Sequence, residues 1–204
     1  MLNRKLLSSI LFGVYVLAIQ TASAATYYLN QSNTLADGIN YAQVNVLENA
    51  GNLAFTVNAL EPSGWRFSDF YLNLGGNLGT LTFGGLPSGW SSDGSQNVSS
   101  FGIFSNQEDG NGSSLQSSFT FTVDSTVALS LANLVANSNG YIFAAHVQCS
   151  DRGGNVCSSV GDDEISSHFI AGPSEISSVP VPSAVWLFGS ALLGFVGFGN
   201  RRKV

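Results

Sequence analysis

Between Lys5 and Arg201 the chain carries no lysine and only two arginines, Arg66 and Arg152. Against them stand all thirteen acids, from Asp37 to Glu175, so this middle segment has a formal charge of −11. With no basic stripe to neutralise phosphates, nucleic acid is excluded as a partner, and so is the surface of an anionic bilayer. Charged residues make up only 10% of the chain. Solubility therefore rests on Gly, Ser, Asn and Thr, a balance that suits an extracellular β-protein better than a cytosolic helical one. Local catalytic signatures are missing too: there is no HExxH run, no nucleophile elbow and no Gly-rich phosphate loop. A glycosidase needs two placed carboxylates, which scattered acids do not single out. The expectation is a protein that is not an enzyme and holds no cofactor.

No run in the middle is both capped and helically periodic. Period-2 patterning recurs instead. Ala42, Val44 and Val46 alternate with polar residues, as do Phe55 and Val57, Phe70, Leu72 and Leu74, Phe119, Phe121 and Val123, and Tyr141, Phe143, Ala145 and Val147. Such alternation marks half-buried strands. Between them lie turn-rich stretches at 75–77, 84–85, 91–95 and 108–112. Short strands joined by Gly, Ser and Asn turns predict one all-β domain over 25–173, an antiparallel, jelly-roll-like β-sandwich of about eight to ten strands. Segment 127–136 is the one place where a short helix competes.

Several residues in this domain are candidates for chemistry. Cys149 and Cys157, the only cysteines, flank a polar Gly-Gly loop, and in an exported chain that spacing predicts a disulfide. Closing so short a loop stabilises by about 2 to 3 kcal/mol on the chain-entropy view. His146 and His168 would face each other if 141–149 paired with 166–171, and Asp162, Asp163 and Glu164 nearby raise a metal site as a competing idea. The acidic stretches 108–112 and 162–164 raise calcium in the same way, though neither matches an EF-hand loop. Two histidines on strands are more often ordinary hydrogen-bonded residues, so no metal is expected. Pro62-Ser63-Gly64-Trp65 and Pro87-Ser88-Gly89-Trp90 repeat one tetrapeptide. Exposed, Trp65 and Trp90 would form a sugar-stacking pair and make the domain a carbohydrate-binding module. Turned inward, each would cap an end of the core, the commoner fate of such a residue. A hydrolase would instead need His146 or His168 beside a carboxylate and a serine.

The two ends differ from the middle. Asn3-Arg4-Lys5, the apolar run Leu6 to Ile19 and the small-residue site Ala22-Ser23-Ala24 read as a secretory signal over 1–24, cut between Ala24 and Ala25 by signal peptidase. An apolar run of about 14 residues is too short for a membrane span, which needs about 20. At the other end, 174–178 reads as a flexible spacer. Val179-Pro180-Val181-Pro182-Ser183 follows, then an apolar run over 184–199, then a basic stop with Arg201, Arg202 and Lys203. Prolines two apart keep the motif extended, a form a protease can grip. Ser183 to Gly199 as a helix would be roughly 26 Å long, a marginal span, and the basic tail would stay cytoplasmic.

Segment 179–204 resembles the PEP-CTERM sorting signal of Gram-negative envelope proteins, in its VPLPA-like variant. It departs from the commonest form at Val181 and Ser183 and in ending on Val204. The resemblance implies that an exosortase recognises Val179, Pro180, Val181, Pro182 and Ser183. It also implies transient anchoring in the inner membrane before the helix and tail are removed, and an association with exopolysaccharide or biofilm. The expectation is an exported structural or binding protein of the periplasm, outer surface or extracellular matrix.

Overall fold

The computed structural model describes residues 23–60, 64–149, 167–173 and 177–179. Fourteen strands follow in chain order: β1 (Ser23–Leu29), β2 (Gln31–Ser32), β3 (Ala42–Asn49), β4 (Asn52–Ala59), β5 (Trp65–Leu72), β6 (Leu81–Gly84), β7 (Ser91–Asp93), β8 (Gln96–Val98), β9 (Gly102–Phe104), β10 (Asn106–Asp109), β11 (Ser118–Ser125), β12 (Tyr141–Cys149), β13 (Ser167–Pro173) and β14 (Ser177–Val179). They form a six-stranded sheet A ordered β14-β1-β3-β4-β11-β6, a six-stranded sheet B ordered β2-β13-β12-β5-β10-β7, and a β8-β9 hairpin. Every pairing is antiparallel. The all-β, antiparallel expectation holds for the described residues. The signal segment and the apolar run at 184–199 lie outside them, and among them no helix is long and apolar enough to cross a membrane.

The alternating residues do what period 2 requires. Ala42, Val44 and Val46, then Leu53, Phe55 and Val57, then Phe119, Phe121 and Val123 are buried on one face of sheet A. They meet Phe67, Phe70, Leu72, Phe143, Ala145 and Val147 of sheet B in a single core. Aromatic rings carry the junction. Phe143 lies 5.0 Å from Tyr27, 6.2 Å from Phe55 and 5.7 Å from Phe70, while Phe70 meets Phe121 at 5.9 Å. Edge-to-face and offset contacts of this kind add to the burial of area.

Sheet B is also covered on part of its outer face. Val98, Phe101 and Phe104, from the hairpin and its single 3₁₀ turn at Ser99–Phe101, pack with Tyr71, Ala144 and Ala171 in a second, smaller apolar cluster. Ala144, on the polar side of the predicted alternation in β12, is fully buried for this reason. Several expected turns are in fact paired backbone: Ser91–Asp93 forms β7, and Glu108 and Asp109 end β10. The helix weighed at 127–136 reduces to one 3₁₀ turn at Leu131–Asn133. Leu129 and Leu134 on either side of that turn dip into the core, and the Leu131 amide donates to Glu48 Oε2 at 3.1 Å, which together stop a helix from propagating. The expected spacer at 174–178 also differs, since Ser177 and Ser178 belong to β14.

Core position decides one charge state. Glu108 pairs with Phe70 across β10 and β5 and is fully buried; Oε1 accepts from Ser92 Oγ at 3.2 Å, and Oε2 has no partner among the described residues. Burial pushes its carboxyl up to about 8, with the Ser92 hydroxyl opposing and Asp93 adding to the rise. The folded state therefore holds a proton that the unfolded chain releases near 4.5. The contribution of Glu108 to stability is therefore full below that value and is lost by about 1.4 kcal/mol per pH unit as pH rises, until the folded group itself ionises. In Glu108→Gln this decline between pH 5 and pH 8 should flatten, as measured by urea unfolding at a series of pH values. Phe143→Ala, which removes a ring shared by both sheets, should cost about 3 to 5 kcal/mol in the same assay at pH 6.

Candidate functional site

The densest polar cluster among the described side chains lies on the outer face of sheet B, and a β-bulge assembles it. Phe67 and Phe70 are both buried in the core although three residues apart. Strict alternation cannot bury both, so β5 takes an extra residue: His146 pairs with Asp69, while the next residue, Val147, pairs with Phe67. Ser68 and Asp69 are thereby turned to the same side. The Gly110 amide donates to Ser68 O at 2.9 Å and fixes the bulge from the neighbouring strand.

On that side His146 is the hub. Its Nδ1 lies 2.9 Å from Asp69 Oδ2 and 2.7 Å from Ser68 Oγ, and its Nε2 is hydrogen-bonded to Ser167 Oγ. Ser68 Oγ also donates to Asp69 Oδ2 at 2.9 Å, and Gln107 Nε2 donates to Asp69 Oδ1 at 3.1 Å. The Phe169 ring stacks on the imidazole at 4.5 Å and 18°. Burial pushes the Asp69 carboxyl up, but hydrogen bonds from His146, Ser68 and Asp109 outweigh it and hold the group below the usual carboxylate range. Asp109, across the strand pair from Asp69, moves the other way, raised by burial and by the negative charges of Asp69 and Asp93 despite the Asn111 amide. An ionised Asp69 can only accept, so the hydrogen between the two sits on His146 Nδ1, and Nε2 faces the Ser167 hydroxyl.

The two histidines do not meet. β12 and β13 are antiparallel as expected, but the register sets His146 opposite Phe169 and His168 opposite Val147. Neighbouring residues of a strand face opposite ways, so the rings lie on opposite sides of sheet B. His168 bonds Thr34 Oγ1 through Nδ1 and packs on Trp65 at 5.0 Å. Among the described residues no group of three His, Cys, Asp or Glu could hold a metal ion. The calcium idea at 108–112 fails on alternation, since Glu108 points into the core and Asp109 away from it; 162–164 lies outside the described residues.

The tryptophan pair is corrected as a sugar platform. Trp65 and Trp90 are 4% and 8% exposed and both belong to the main core, so neither offers a face for stacking. Trp90 Nε1 donates to Ser114 O at 2.7 Å, and its ring meets Phe119 at 4.7 Å. The expected Cys149–Cys157 disulfide lies partly outside the described residues: the Cys149 backbone ends β12, and 157 is not among them. Of the processing sites, Ala24 and Ala25 lie in β1, with Ala25 buried, and Val179 ends β14. Residues 180–183 and 201–203 are outside the described set.

Compared with known proteins, the chain matches no family model, no curated protein and no solved structure.

Gly110 has no room for a side chain: a Cβ there would lie 2.6 Å from Ser68 O and 2.7 Å from the Trp90 ring. Gly110→Ala should displace the bulge and the indole together. The expected result is a loss of about 1 to 3 kcal/mol of stability with a red-shifted tryptophan emission, read by urea unfolding followed by fluorescence.

Proposed function

We propose that the chain is an exported envelope protein whose folded part is a jelly-roll-like β-sandwich. It is delivered by general secretion, cut by signal peptidase between Ala24 and Ala25, and processed by an exosortase at Val179–Ser183. In this reading the apolar run 184–199 and the stop Arg201, Arg202 and Lys203 hold the precursor in the inner membrane until the cut is made. The released or surface-held domain serves as a structural or binding component of the envelope or its surrounding matrix, with exopolysaccharide as the associated material.

The observation that supports the reading is one strand pairing. Among the described residues β1 and β14 are antiparallel neighbours with Ala24 opposite Val179, so the residue before the proposed signal cut and the first residue of the proposed sorting motif are partners in one ladder. A domain entered and left at one pole is suited to a precursor held at a membrane by its terminal segments. Signal cleavage before Ala25 still leaves Ala25, Tyr27 and Leu29 to fill the core.

The test is the intact mass of the protein recovered from its native envelope, in cells with and without their exosortase. A mass ending near Pro182 that depends on the enzyme is the expected result. A mass retaining Trp186 to Val204 in both backgrounds would make the tail a permanent anchor and remove the sorting step.

A further inference from the structure

We infer that Ser167, His146 and Asp69 form a nucleophilic relay on the outer face of sheet B, with Ser167 accepting an acyl group from an ester of a carboxylic acid. The inference goes beyond the sorting reading and does not rest on it. Three adjacent strands supply one group each: Asp69 from β5, His146 from β12 and Ser167 from β13. The connections run in the order such chemistry needs, carboxylate to Nδ1 and Nε2 to hydroxyl. Asp69 is largely buried and held by Ser68 and Gln107 as well as by His146, so it is an orienting group with little freedom to turn away. The Phe169 ring closes one face of the imidazole. Ser167 is exposed, at the start of its strand.

Ser167 Oγ forms a bond to the ester carbonyl carbon while its proton passes to His146 Nε2. The bond from that carbon to the alcohol oxygen then breaks, and the alcohol leaves with the proton from Nε2. Water repeats the sequence on the acyl-serine, giving its proton to Nε2 and releasing the acid as Ser167 regains its hydrogen. Throughout, Asp69 keeps the Nδ1 hydrogen in place and balances the transient imidazolium.

The protein as it occurs in the native envelope is purified and treated with a fluorophosphonate reporter and separately with p-nitrophenyl acetate. The expected result is one phosphonyl adduct, on the peptide carrying Ser167, and its loss in Ser167→Ala. Ester turnover should fall about 10²- to 10⁴-fold in His146→Gln and in Asp69→Asn. Unchanged melting temperature and tryptophan emission certify the fold of each variant; should Asp69→Asn unfold, the surface variants Ser167→Ala and His146→Gln decide. Absence of an adduct under excess reporter overturns the inference. So do adducts spread over other exposed serines at a rate that His146→Gln leaves unchanged. Because the readout is chemical and needs no exosortase, its failure leaves the sorting reading untouched, and the converse holds.

Discussion

Phe143 and Phe70 stand on neighbouring strands of sheet B with their rings 5.7 Å apart, and Tyr27, Phe55 and Phe121 close on them from sheet A. Everything on the outer face of sheet B follows from holding these rings in the core. Once Phe143, Ala145 and Val147 point inward, His146 has to point outward. Once Phe67 and Phe70 are both drawn in, the two residues between them are forced onto the outer side together. Apolar burial is the dominant stabilising term and carries no direction of its own, yet through the two-residue pleat it dictates where a serine, an aspartate and a histidine converge.

The long strands were legible because one face of each is apolar and the other polar. β3, β4 and β11 bury every second residue with little interruption. β1 carries the same signal in Ala25, Tyr27 and Leu29. What pattern reading missed were strands with no apolar face to show. Ser91, Ser92 and Asp93 of β7 are all exposed and are held by backbone pairing to β10. Gly-, Ser- and Asp-rich composition reads as turn in isolation, and only a neighbouring strand makes it a ladder. The 3₁₀ turn at Leu131–Asn133 was obscured for the opposite reason: an apolar stretch resembled a helix face, while its leucines are shared out to the core one by one.

The polar cluster was less legible, since its members lie up to 98 positions apart in the sequence, from Asp69 to Ser167, and none belongs to a local motif. One signal was present. Trp65 and Phe67 alternate in one phase and Phe70, Leu72 and Leu74 in the other, and a change of phase inside a strand is the sequence mark of a bulge. Reading it would have placed Ser68 and Asp69 on a common side. Their partner His146 required the register of three strands, which hydrophobic pattern alone leaves undetermined. The same register separated the two histidines that sequence distance had brought together in thought.

The sheet edges carry a consequence for how copies of this chain meet. Among the described residues sheet A ends in β14 and β6, of three and four residues, and sheet B in β2 and β7, of two and three. Outermost strands this short give a second copy little backbone to zip onto, which is how native sheets avoid growing into fibres. On one side that protection hangs on three residues. β14 lies along β1 from Ala24 to Thr26, and without those three residues this side of β1 would be a bare template for another chain. The short strand that covers β1 thus decides whether that edge is inert towards its own kind or adhesive to it.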